Sequence, residues 1–197
     1  MAPSFILEDQ HKNKVIAGID EVGCGAIAGP VIACAVILKR EYDFSSYVDD
    51  SKKLSAKKRI ISYEFLIPKI TYSIGIASSD EIDELNIRNA TILACERSVK
   101  NLEFSPQICL VDGNMKFKDS RYISIIKGDS ISYSVAAASI IAKVFRDYLM
   151  TLLAESFNSY RWEENKGYGT RAHINLLKKL GPTIHHRRSF LKRIICR

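Results

Sequence analysis

Two adjacent carboxylates, Asp20 and Glu21, stand at the end of the apolar run from Val15 to Ile19. The glycine-rich loop Val22-Gly23-Cys24-Gly25 follows them at once. Neighbouring acids at the edge of a core are costly unless a cation meets them. Metal or acid–base chemistry is therefore one reading, and a hairpin with a solvated acidic turn is the other. Successive strand residues point to opposite faces. For both acids to serve one site, the strand must break at Glu21, and the glycines supply the backbone freedom for that. Asp112 ends the short apolar run QICLV and precedes Gly113. It is either a turn residue or a further carboxylate delivered at a strand end. Asp129, in Lys127-Gly128-Asp129-Ser130, either caps the helix that follows or adds another acid to the same site. Gly23, Gly25 and Gly29 also resemble a dinucleotide fingerprint. That motif needs a helix directly after its loop, whereas Pro30 is followed by VIACAVIL, a strand former.

The elements that must position these residues follow from pattern and punctuation. Strands are expected over 15–20 and 31–38, close enough to pair antiparallel. Residues 41–50 read as a surface loop. Ser55 caps a predicted helix over 56–66, stopped by Pro68. A strand over 70–77 precedes a helix from Ser79 to about Leu102, with Ile82, Leu85, Ile92 and Val99 near one face. Asn86 and Asn89 lie beside that stripe, with capping, bonding and a site role all open. Strands over 107–111 and 121–126 lead to a long helix over 131–156, whose Ala136–Ala138 stretch is small enough to lie against a sheet. Lys143, Arg146 and Asp147 read as an ion cluster on its surface. Thr170 caps a short helix through Leu180, ended by Gly181-Pro182. His185 and His186 have no partners at zinc spacing and read as solvated or phosphate-facing.

The 197 residues suffice for one domain with a real core. No apolar run reaches the roughly 18 residues of a membrane span, which argues against a membrane partner. Residues 1–13 lack secretory-signal features and read as a flexible lead before a catalytic core over 14–160. The cysteines (Cys24, Cys34, Cys95, Cys109, Cys196) are odd in number and unpaired in spacing, as in a reduced, cytoplasmic protein. Charge is uneven. Residues 165–197 carry nine Lys or Arg and no acid, so a net charge of +7 leaves the rest of the chain at −2. A basic end of this kind faces a polyanion or is merely solvated. Lys52 and Lys53, before the first helix, are phosphate contacts or a solvated pair.

Taken in order, AGIDEVGCGAIAGPV, DDSKKLS, VDGN, KGDSISYSVAAASIIAKVFRD and GYGTRAHINLLKKLGPTIHHRRSF resemble the type 2 ribonucleases H (ribonuclease HII). The resemblance implies an α/β, ribonuclease H-like fold: a mixed central sheet with flanking helices and a basic C-terminal helical segment over 161–197. It implies a metal site of Asp20, Glu21, Asp112 and Asp129 holding two Mn²⁺ or Mg²⁺ ions, with Asp20 bridging them. It also implies an endoribonuclease that cuts the RNA strand of RNA–DNA hybrids and ribonucleotides embedded in duplex DNA, leaving 5′-phosphate and 3′-hydroxyl ends; a monomer is expected. In that family the glycine loop reads the ribose 2′-hydroxyl, and Gly23 and Gly25 match it. Cys24 departs, since arginine usually stands there and could fork onto phosphate. Tyr168 matches the tyrosine that packs on the sugar beside the cut. Lys52, Lys53, Arg187 and Arg188 are candidates for backbone contacts. The rivals are a non-catalytic hybrid-binding protein and a metal-dependent DNA nuclease.

Overall fold

The computed structural model describes residues 2–49 and 51–195. Met1, Asp50, Cys196 and Arg197 lie outside it, and with them parts of the expected lead, surface loop, cysteine set and basic tail. A five-stranded sheet is formed by β1 (Ile16–Val22), β2 (Val31–Leu38), β3 (Ile70–Ala77), β4 (Ile108–Asp112) and β5 (Tyr122–Ile125). Its order is β3-β2-β1-β4-β5. The β1/β2 and β2/β3 pairs are antiparallel, and β1/β4 and β4/β5 are parallel. A parallel neighbour requires a crossover. Here it runs through α1 (Ala56–Leu66) and α2 (Ser79–Lys100), and α3 (Tyr133–Ser156) follows β5. The fold is the mixed-sheet α/β architecture expected.

The pleat sorts the core into two layers. On one face Ala17, Ile19, Ala33, Ala35 and Val111 pack against Ile82, Ala90, Ala94 and Val99 of α2. On the other, Cys34 and Val36 meet Ala136, Ala137, Ala138 and Ala142 of α3 together with Ile140 and Ile141, with Phe44 and Leu66 beside them. Small residues allow a close approach. A Cβ on Gly18 of β1 would overlap the backbone of Ser134 in the first turn of α3. Asp20 sits two residues further along β1, so this contact fixes the strand end that bears the acid.

Ser55 caps α1 as expected, accepting from the Lys58 N–H at 3.3 Å. α2 contains a break at Asn86, whose φ is +65°. The Asn86 side chain accepts from the N–H groups of Arg88 and Asn89. It therefore acts as an internal cap that starts the helix again, which settles its role. α3 begins at Tyr133 with Ser132 as its cap, two residues later than expected, so Asp129 does not cap it.

The N-terminal residues differ from a flexible lead. Ser4 pairs with Ser132, Phe5 packs edge-on against Tyr133 and Phe44, and Glu8–His11 form a 3₁₀ turn in which Glu8 is buried. Arg146 also departs from expectation. Lys143 and Asp147 do pair, at 2.8 Å, but Arg146 is fully buried and bonds the carbonyls of Ala28, Pro30 and Lys166.

Candidate metal centre and substrate groove

β1 does not break at Glu21. It continues to Val22, so Asp20 and Glu21 leave the strand on opposite faces. Asp20 points to the α3 side, where it is 3% exposed. Asp112 arrives on the same side from the end of the parallel neighbour β4. Asp129 arrives from the short 3₁₀ turn Gly128–Ser130 before α3. The turn is tied to the strand, because the Gly128 N–H donates to Asp112 Oδ1 at 2.7 Å. One carboxylate oxygen from each of Asp20, Asp112 and Asp129 lies within 4.8 Å of the others. Sequence positions far apart thus converge through one parallel strand pair and one turn.

Glu21 lies outside that close cluster, on the α2 side. Its Oε1 accepts from the Cys24 thiol at 3.7 Å, and its Oε2 is buried with no hydrogen-bond partner among the described residues. The Cys24 sulfur also lies 3.4 Å from Thr91 Oγ1, just beyond the break in α2. Burial pushes the Cys24 thiol up to about 11, helped by the Glu21 charge. It stays a neutral donor.

The acids are poorly compensated. Burial holds Asp20 well above the usual carboxylate range, and the charges of Glu21 and Asp112 add to the effect. Glu21 is raised by burial and then by Asp112, and Asp112 by burial and then by Asp129. A nearby cation relieves such a set. One is already at its rim: Lys52 Nζ lies 3.0 Å from Asp129 Oδ2. The donors are all oxygen, the set that hard divalent ions such as Mg²⁺ and Mn²⁺ prefer. The residues present fit such ions.

A groove of about 200 Å³ reaches Asp20 and Glu21 and is lined besides by Ser51, Lys52, Ser139 and Tyr168. Ser51 and Ser139 share a hydrogen bond of 2.6 Å. Arg59 holds the carbonyls of Ser51 and Leu54, fixing the loop that carries Lys52. Lys53 lies apart from the triad and pairs with Asp49 at 3.5 Å. Ser51, Arg59 and Ser139 went unassigned in the sequence. Ser139, Lys143 and Arg146 recur at helical spacing on α3, a signal that could have placed them on one face. A larger groove between α1 and α3, about 560 Å³, is lined by Ile60, Tyr63, Phe145 and Tyr148 and contains none of the acids.

The glycine loop is held from behind by two buried arginines. Gly23 has φ +95°, and a Cβ there would run into the Arg146 guanidinium. Gly25 is exposed and faces open space. Arg187, expected at a substrate phosphate, is instead fully buried. It donates to the carbonyls of Gly29 at 2.9 Å and Cys24 at 3.0 Å. Desolvation lowers it to about 10. Its role is to shape the loop. Arg188 is exposed, with its N–H on Asp83.

His186, expected to be solvated or phosphate-facing, is 2% exposed. Its Nδ1 accepts from the Thr183 N–H, so its Nε2 carries the proton and donates to His173 Nε2 at 3.2 Å. The same His173 nitrogen accepts from Trp162, leaving His173 Nδ1 to donate to the Tyr168 carbonyl at 2.9 Å. The half-buried Tyr168 ring sits 5.3 Å from the Arg146 guanidinium. Ala26 bridges to Tyr168, and Ala28 to His186. The C-terminal segment therefore builds the wall of the groove.

Comparison with known proteins gives the family and the fold. The model of the ribonuclease HII family matches residues 17–193. A ribonuclease HII of Orientia tsutsugamushi (strain Ikeda) is 50% identical over 190 residues, covering 96% of this chain and 92% of the relative. The crystal structure of ribonuclease H2 from Pyrococcus horikoshii OT3 superposes with a TM-score of 0.72 at 24% identity, covering 91% of this chain and 96% of that one. Bst-RNase HIII, solved in complex with Mn²⁺, gives 0.69 at 16% identity over 94% of this chain and 71% of that one.

Proposed function

This chain belongs to the ribonuclease HII family, a family of ribonuclease H enzymes, and from that premise we propose its substrates and mechanism. The protein hydrolyses the RNA strand of RNA–DNA hybrids and cuts at ribonucleotides embedded in duplex DNA, leaving 5′-phosphate and 3′-hydroxyl ends. The observation that carries this reading is the convergence of Asp20, Asp112 and Asp129 within 4.8 Å, with Asp20 on a groove that Lys52 and Tyr168 also line.

Asp20, Asp112 and Asp129 would hold divalent cations, two of Mn²⁺ or Mg²⁺, and Glu21 would join them through its Oε2, which has no hydrogen-bond partner among the described residues. Such cations supply Lewis acidity at the scissile phosphate and make water acidic enough to attack at neutral pH. The protein's own part is placement. Lys52, poised on Asp129, neutralises the phosphate backbone as it enters. The open main chain at Gly25 admits the ribose and its 2′-hydroxyl, the group that separates RNA from DNA. Tyr168 offers a ring to the sugar beside the cut, its backbone held by His173. The enzyme acts as a monomer in the cytoplasm, with its cysteines reduced.

The test is cleavage of labelled RNA–DNA hybrid, DNA duplex, RNA duplex and DNA with a single ribonucleotide, each with Mg²⁺ or Mn²⁺. The hybrid and the embedded ribonucleotide are cut, while Asp20→Asn binds the hybrid and gives no turnover. Cleavage of plain DNA would favour a DNA nuclease, and no product with either ion a binding protein.

A further inference from the structure

The N-terminal segment grips the turn that carries Asp129. Glu8 is 3% exposed. Its Oε1 accepts from Ser132 Oγ at 2.6 Å, Ser134 Oγ at 2.7 Å and the Ser134 N–H at 3.0 Å. Ser132 is the cap of α3, and the Ser134 amide is one of the first-turn donors that a helix leaves without an internal partner. A carboxylate there also meets the positive end of the helix. Main-chain bonds reinforce the grip. The Ser4 N–H donates to the Ile131 carbonyl at 2.9 Å, and the Tyr133 N–H to the Ser4 carbonyl at 3.1 Å. Phe5 wedges against Tyr133 at 5.1 Å, Arg40 lies 4.8 Å over the Phe5 ring, and Arg40 pairs with Asp9.

These contacts end at residues 131–134, immediately after Asp129. From the other side, the turn is held by Asp112 through the Gly128 N–H. The first turn of α3 also abuts Gly18 of β1, two residues from Asp20. One small unit of backbone thus sets the spacing of all the converging acids, and Glu8 is its buried outer brace.

We infer that Glu8 is a positioning residue for the metal centre, acting through Ser132 and Ser134 on Asp129, and that the N-terminal segment is part of the catalytic apparatus. This rests on reading the acid cluster as a cation site. A purely structural Glu8 would lower thermal stability and leave cation affinity alone. A positioning Glu8 alters the affinity through Asp129 in particular.

The probe is Mn²⁺ alone, with binding followed by electron paramagnetic resonance on the full chain and melting recorded in parallel. Glu8→Ala weakens Mn²⁺ binding by up to about tenfold, the lower end of what partners of metal ligands carry. The loss disappears when Asp129→Asn is already present and persists when Glu21→Gln is present, the mark of a specific coupling. Ser134→Ala, which removes one of the donors to Glu8, gives the same comparison should the Glu8 variant fail to fold, while Glu8→Gln keeps the accepting oxygen and retains the affinity. Unchanged affinity with a lowered melting temperature in the alanine variant would overturn the inference, as would an equal loss in the Asp129→Asn background. Wild-type protein that binds no Mn²⁺ would overturn the cation-site reading and this inference together, and is recognised because the wild type is measured first.

Discussion

Asp20 and Glu21 are neighbours in sequence that belong to different environments. One faces α3 and the converging acids; the other faces α2, Cys24 and Thr91. The alternation of a strand makes this unavoidable once β1 runs on to Val22. His186 makes the same point about burial. Its ring is pushed down from 6.5 to about 4 by desolvation, aided by its histidine neighbours. In the unfolded chain it takes up a proton near pH 6.5, whereas the folded protein refuses one until about pH 4. The stability it contributes is complete above 6.5 and lost as pH falls through 4, up to about 3 kcal/mol. Melting curves between pH 7 and 4 will show this loss. His186→Asn will flatten it in part, because His173 is lowered by the same burial.

At the scale of elements, the glycine loop divides its duties between two residues. Gly23 needs its positive φ and the space filled by Arg146, while Gly25 needs neither. Gly23→Ala should therefore cost about 1–3 kcal/mol, and Gly25→Ala should stay within about 0.5 kcal/mol of wild type. Chemical denaturation of both variants checks the contrast.

The elements themselves were largely legible in the sequence. β2, α1 and β3 begin and end where Pro30, Ser55 and Pro68 punctuate apolar runs. Asp20, Asp112 and Asp129 could be named because each stands beside a glycine-marked strand end or turn. What could not be read was which polar residues are buried. Arg187 finds its partners more than 150 positions away, at Cys24 and Gly29. Glu8 finds its partners at Ser132 and Ser134. Local pattern has no access to such pairings, so a charged residue defaults to the surface. The break in α2 was hidden for a related reason. Asn86 interrupts the helix without a proline or glycine to announce it.

For the whole molecule, charge is segregated. Asp20, Asp112 and Asp129 converge at the strand ends, and Arg171, Lys178, Lys179, Arg188 and Lys192 are exposed on the C-terminal segment. Bound nucleic acid releases counterions in proportion to the phosphates neutralised. Replacing Lys178 and Lys179 with alanine should reduce the slope of log affinity against log salt by about 1–2 without changing the melting temperature. Arg187→Ala should instead lower the melting temperature, since its bonds shape the loop between β1 and β2.

The parallel pairing of β1 with β4 also has a consequence during synthesis on the ribosome. The antiparallel strands β1, β2 and β3 need only early residues and can begin pairing as they emerge. Asp20 must wait for β4 and the turn after β5, contacts that span roughly a hundred positions. Such distant contacts form late. A nascent chain therefore passes much of its translation with a sheet able to begin and the three acids still apart, and brings them together only as its last third leaves the tunnel.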